Sequence, residues 1–284
     1  MRTIAILTAA TLLASPSLAA TAPAQHAASA AAKVPARPAH PDLSGVWSVM
    51  NTANFDLEPH TARAAMQMRP GPAGPVPAKA VVALGAVGAV RSGVGVVDGG
   101  LIPYKPEALA KKKENQTHWL ERDPEIKCYL PGVPRANYMA LPFQILQSDK
   151  AMIIAYEYAG AVRNILFNDP GPAPADSWMG QSVAKWEGQT LVVTVTGMND
   201  STWLDRAGDF HSDKMSVVER WRLIDRNTLR YAATITDPET FTRPWTVSMN
   251  LYRRRGEDAR LGQFKCVEFV EELLYGQLRK EALK

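Results

Sequence analysis

The sequence predicts an all-β domain, mainly antiparallel, and three features carry the prediction. From Phe143 onward, apolar residues recur at every second position. The runs are separated by short breaks at Asp149-Lys150, Gly160, Glu187-Gly188 and Asp225-Arg226-Asn227. About ten such runs follow one another at hairpin spacing, which leaves room for only one or two short helices. Strands in that order fold as a barrel or a sandwich.

The chain has 284 residues and opens MRTIAILTAATLLASPSLAA. Arg2, the apolar stretch Ile4 to Ala14 and the small-x-small Ser17-Leu18-Ala19 read as a secretory signal over residues 1–19. The alternative is a buried N-terminal helix. Residues 20–41 are rich in Ala and Pro and poor in large apolar side chains, so they read as a disordered linker. One domain is then expected over 42–284. It opens DLSGVWSV, a strand whose Gly45-x-Trp47 pattern also occurs at the start of lipocalin-like barrels. Asn54 to Met68 is expected as a short helix. Residues 69–100, dominated by Gly, Pro, Ala and Val, read as a flexible insertion, either a lid or plain disorder.

Lys105 to Arg122 is the best helix: Pro106 suits its first turn, Glu107 its positive end, and Asp123-Pro124 stops it. The loop CYLPGVPRANYMALP is stiffened by Pro and Gly. Strands follow in FQILQS, AMIIAYEY, AVRNILF, QSVAKW, QTLVVTVTG, MSVVERWRLI, TLRYAATIT and WTVSMNLYRR. GQFKCVEFV is expected as a last strand and Val270 to Arg279 as a closing helix. In SVVERWRLI, Glu219 shares a face with Val217 and Trp221, while Arg220 and Arg222 share the other. Charge on both faces means that one charge points inward.

The formal net charge of +4 is mild, and no aromatic-interleaved basic patch occurs, so no nucleic-acid partner is expected. No run after the signal is long and apolar enough to span a membrane. The expected location is periplasmic or secreted. Two cysteines in an exported chain, Cys128 and Cys266, suggest a disulfide, with two buried thiols as the alternative.

The stretch GMNDSTWLDRAGDFHSDKMSVVER, residues 197–220, concentrates acid and one of five histidines between two strands. Connections of this length inside a domain are usually binding loops or lids. His211 can take and give a proton at neutral pH, with Asp205 or Asp213 orienting its ring. Trp203, Trp178, Asn199 and Asp200 are candidate substrate contacts. Arg243 or Arg220 can hold developing negative charge. The bland alternative is turn chemistry by Asp and Asn. A calcium site using Asn199, Asp200, Asp205, Asp209 and Asp213 is a third reading, though the spacing is not that of an EF-hand. Zinc is disfavoured, because one histidine without a nearby second His or Cys makes a poor site. Glu157 and Arg163 are expected to pair across the Gly160 turn. No serine elbow, P-loop, dinucleotide fingerprint or HExxH is present.

Together, PDLSGVW, KCYLPGVPR, DSWMGQS, WEGQTLVV, MNDSTWLDRAG, HSDKMSVVER and DPETFTRPW resemble a group of exported, mostly uncharacterised bacterial proteins. The resemblance spans Pro41 to Glu272. It implies a shared β-rich fold and a shared site around His211, and no particular reaction. The expected function is a cofactor-independent acid–base lyase or isomerase acting on an aromatic small molecule. One concrete form is formaldehyde release from a lignin-derived aromatic dimer. The alternatives are a lipocalin-like carrier of a hydrophobic ligand and an envelope interaction protein. Oligomeric state stays open.

Overall fold

Nine strands close into a ring. The computed structural model describes residues 40–62, 68–72, 74–77, 91–118, 122–257, 259–264 and 266–268. The expected signal, residues 20–39 of the linker, residues 78–90 of the insertion and the closing helix lie outside them. The barrel strands are β1 (Gly45–Val49), β4 (Phe143–Gln147), β5 (Ala151–Tyr156), β6 (Val162–Leu166), β7 (Gln181–Glu187), β8 (Thr190–Thr196), β9 (Ser216–Asp225), β10 (Thr228–Thr236) and β11 (Trp245–Arg253). Their order is β1-β11-β10-β9-β8-β7-β6-β5-β4, closed by β4 on β1. All neighbours are antiparallel except β6 and β7, which run parallel over Ile165↔Ser182 and Leu166↔Val183. The short strands β2 (Met68–Gly71) and β3 (Gly74–Pro77) make a separate ladder.

Alternation explains the interior. Ile145, Met152, Ile154, Val193, Val195, Leu229, Ala233, Val247 and Leu251 are buried, whereas Leu146, Ile153 and Val218 face outward. Phe143, Tyr156, Trp221 and Tyr231 fill the centre with tilted and edge-on ring contacts. The G-x-W pattern has a local cause at the β1–β11 junction. A Cβ at Gly45 would overlap the guanidinium of Arg253. With glycine there, Arg253 lies over the Trp47 ring at 4.2 Å and donates to the carbonyls of Ser44 and Arg226.

Glu219 does point inward, and it meets Arg163 rather than open space. Both are buried, and the pair is bidentate. Glu219 also accepts from Asn137 at 2.7 Å and from Tyr231 at 2.8 Å. Tyr156 donates to Asn137 Oδ1, and Arg163 Nε donates to Ser182 across the β6–β7 seam. The expected Glu157–Arg163 pair is therefore corrected. Glu157 is the residue before a 3₁₀ turn, Tyr158–Gly160, and its carboxylate accepts from the Gly262 backbone N–H. Arg163 points the other way, into the barrel. Two polar atoms of the core, the Trp221 and Trp245 indole N–H groups, have no hydrogen-bond partner among the described residues.

The helix α1 (Pro106–Thr117) has Pro106 in its first turn and Glu107 at its positive end. Its buried face is Ala108, Lys112 and Asn115, while Leu109 is exposed. That polar face is explained by what it covers, the acidic loop. Lys112 reaches Asp209, and Asn115 donates to the Gly208 carbonyl. Between residues 52 and 58 the expected helix gives way to turns. There Leu57 N–H donates to Asp205 and Glu58 N–H to Asp56, so carboxylates take the donors a helix would use. Of the expected insertion, Val97 is buried in the core and bridges Val247. The expected strand GQFKCVEFV is not formed among its described residues. Instead Phe264 packs on Tyr158 and Cys266 is bonded to Cys128, with Cα atoms 5.6 Å apart.

Candidate functional site

The acidic loop anchors itself with Trp203, Leu204 and Phe210, all buried, and a bridge joins Trp203 to Phe210. Its polar residues divide into two groups that look in different directions.

The first group is Thr202 and His211, each 2 % exposed. The two ring nitrogens of His211 have different partners. Nδ1 lies 2.9 Å from the carbonyl oxygen of Ser212, which can only accept, so Nδ1 carries the proton. Nε2 is then the acceptor, and Thr202 Oγ1, 2.7 Å away, donates to it. Burial holds the ring below the ordinary histidine pKa, partly offset by Ser212 and Asp237. The result is a neutral imidazole with its basic lone pair aimed at a hydroxyl.

Thr202 is among the residues that line a narrow cleft, which in this conformation has no room for a water-sized sphere. Its walls include Glu125, Tyr129, Arg135, Met139, Tyr158 and Trp203. Gly132, at φ +71°, backs Thr202 closely: a Cβ there would stand 2.6 Å from the Thr202 hydroxyl oxygen. Trp178 packs on Tyr129, ring centres 5.4 Å apart, and extends the aromatic rim. Beneath the cleft, Glu125 accepts from Arg135 at 2.6 Å and from both Nε and Nη2 of Arg206. Burial alone would raise the Glu125 pKa; the two guanidinium groups hold it well below the usual carboxylate range. Its neighbour Asp123 goes the other way, raised by burial.

The second group is Asp205 and Asp209, both 0 % exposed, with Asp56 beside them. Asp205 accepts backbone N–H bonds from Leu57, Ala207 and Asp209. Burial and the Asp209 charge raise its pKa well above the ordinary value. Asp209 Oδ1 accepts from Tyr104 and Lys112, both at 2.8 Å.

The other expected residues fall elsewhere. Neither Asp205 nor Asp213 orients His211, since the Ser212 carbonyl takes the proton-bearing nitrogen. Asp213 is exposed and pairs with Lys214. The carboxylate nearest in role is Asp237, which binds the N–H and hydroxyl of Ser212 and so fixes the residue whose carbonyl orients the ring. Arg220 is exposed on Glu187, and Arg243 is exposed against the Pro244 carbonyl. Neither faces the cleft, because outward positions of β9 and of the turn before β11 present them to solvent. Asn199 caps the Ser201 N–H, and Asp200 is exposed. The five-residue calcium set is thus dispersed. Of those five, only Asp205 and Asp209 come together, joined by Asp56. Trp203 lines the cleft as expected, and Trp178 stands at its rim.

Sequence reasoning missed Thr202, Glu125, Arg135, Tyr129, Tyr158, Asp56 and Lys112. The Pro/Gly-rich loop after Cys128 was the available signal for the cleft wall, and Thr202 stood inside the loop already singled out. No known protein family matches the chain, and no curated protein or solved structure does.

Proposed function

We propose that the chain is an exported acid–base enzyme, a lyase or isomerase, acting on an aromatic small molecule bound in the cleft over Thr202. The observation that carries this reading is the 2.7 Å contact between Thr202 Oγ1 and the unprotonated Nε2 of a buried His211. His211 is behind Thr202, so a substrate proton reaches it through the hydroxyl. The substrate gives its proton to Oγ1 while Oγ1 gives its own to Nε2. The aromatic residues of the cleft wall, Tyr129, Tyr158 and Trp203, suit a ring. The concrete form favoured is release of formaldehyde from a hydroxymethyl group. The hydroxyl proton moves to His211, the C–C bond breaks, and the electron pair left on carbon is reprotonated or expels a leaving group. Loss of a proton relay of this kind costs about 10²–10⁴-fold in rate. The disulfide and the resemblance to exported proteins support an oxidising location. A carrier reading needs a roomy barrel interior, and here Phe143, Trp221 and Tyr231 occupy that space.

The test incubates the protein with a pool of lignin-derived and other aromatic compounds, followed by mass spectrometry. Thr202→Val and His211→Ala run alongside. A compound that changes mass with wild type and at least 100-fold more slowly with both variants is the expected outcome. A compound that binds unchanged to all three proteins defeats the enzyme reading and restores the carrier.

A further inference from the structure

The described part of the C-terminal chain ends beside the cleft, and it is fastened there. The Gly262 N–H donates to Glu157 at 2.6 Å, Phe264 packs on Tyr158 with ring centres 5.2 Å apart, and Cys266 is bonded to Cys128. Tyr158 lines the cleft, and so does Tyr129, the residue after Cys128. Each successive fastening therefore lies on or next to a cleft wall. At the mouth, Tyr129 and Trp178 pack on each other and remain 37 % and 36 % exposed. Leu130, half-buried, adjoins Tyr129 in the wall. Two touching aromatic rings left partly open to water are a ready apolar contact surface.

Beyond the described residues, positions 269–284 read FVEELLYGQLRKEALK. Val270, Leu273, Leu274 and Leu278 recur at helical spacing, which sets Glu272 and Arg279 on the opposite side. Val270 is four residues past Cys266 and so stays within about 14 Å of that anchor, even fully extended. At helical rise, residues 270–279 amount to about 15 Å. That length crosses the two rings, whose centres are 5.4 Å apart.

We propose that segment 269–284 is the intrachain occupant of the Tyr129–Trp178 surface, seating Val270, Leu273, Leu274 and Leu278 on the two rings and covering the cleft mouth. The Cys128–Cys266 bond keeps segment and surface together at high effective concentration, so weak contacts suffice. A ligand approaching over those rings has to displace the segment. That competition rests on the cleft being the substrate site; the covering itself does not, and the experiment reads the covering alone.

In the full-length chain, Leu274 is replaced by the photo-cross-linker p-benzoylphenylalanine, and cross-linked peptides are identified by mass spectrometry. Cross-links within one chain to peptides holding Tyr129 or Trp178 are expected. Cross-links instead to the outer face of β4–β6, where Leu146, Ile153 and Val162 are exposed, overturn the proposal. Cross-links only between two chains overturn it too, as does their absence. Hydrogen exchange gives a second reading. The Tyr129 and Ser177 amides, bonded to the Pro124 and Gly197 carbonyls, should exchange about tenfold faster in the Leu273→Glu/Leu274→Glu double variant than in wild type. Equal rates in the two proteins overturn the proposal.

Discussion

The barrel interior and the acidic loop both bury charge, and they do so in opposite ways. Inside the barrel, every oxygen of Glu219 has a donor, and Arg163 spends its guanidinium on Glu219 and Ser182. In the loop, Asp209 Oδ2 has no donor beyond what Asp205 can offer, and Thr202 lines a cleft. A network that closes on itself holds strands together and offers nothing to a ligand. A network left open, next to a concave surface, has capacity for a proton, an ion or a substrate. The functional reading rests on this difference and not on the number of charges.

Three measurements put this contrast to the test. The largest effect is expected at the closed network. Glu219→Leu strands Arg163 without its counter-charge and should cost about 3–5 kcal/mol in urea unfolding. Replacing both partners with apolar residues should recover most of that loss. A single variant within 1 kcal/mol of wild type would mean that the interior is wetter than its geometry implies.

Next in size is the link between the cleft wall and the tail. The Cys128–Cys266 bond spans a sequence separation of 138 residues. Cys266→Ser should lower stability by about 2–5 kcal/mol through the added freedom of the unfolded chain. Because Tyr129 follows Cys128, turnover should fall as well. Unchanged stability with lost turnover would assign the bond to the site alone.

The smallest effect is the pH dependence of His211. Burial depresses its pKa, so the unfolded chain binds the proton more readily than the folded one. The stabilising contribution of the neutral ring is present above about pH 6.5 and is lost as pH falls through the folded value. The stability gap between wild type and His211→Gln should therefore narrow from pH 7.5 to pH 5. A gap that widens toward acid would place a charged imidazolium in the fold and remove the base from the mechanism.

The strands were legible because a period of two, broken by Gly and Asp-Asn turns, is local information. So was an inward charge on SVVERWRLI, though not that Glu219 is the one that carries it. The partner of Arg163 was not, because Glu219 lies on a distant strand while Glu157 is a sequence neighbour that the Tyr158–Gly160 turn diverts. The same limit governs the site. His211 and its loop stood out by composition. That Thr202 rather than an aspartate faces the ring depends on backbone geometry around Ser212, which no spacing encodes. Glu125 and Arg135 reach the cleft floor from another segment altogether.

The lone parallel junction between β6 and β7 follows from arithmetic. Strands that alternate up and down can form a complete circuit only in even number. A circuit of nine must contain at least one pair pointing the same way, as a ring of odd size cannot be coloured with two alternating colours. Same-way neighbours cannot be joined by a tight hairpin, since the chain has to travel back to the starting end of the barrel. Here it does so between Leu166 and Gln181, and that return path is what delivers Trp178 to Tyr129. The odd circumference of the barrel thus forces a detour, and the detour furnishes part of the rim where a substrate would dock.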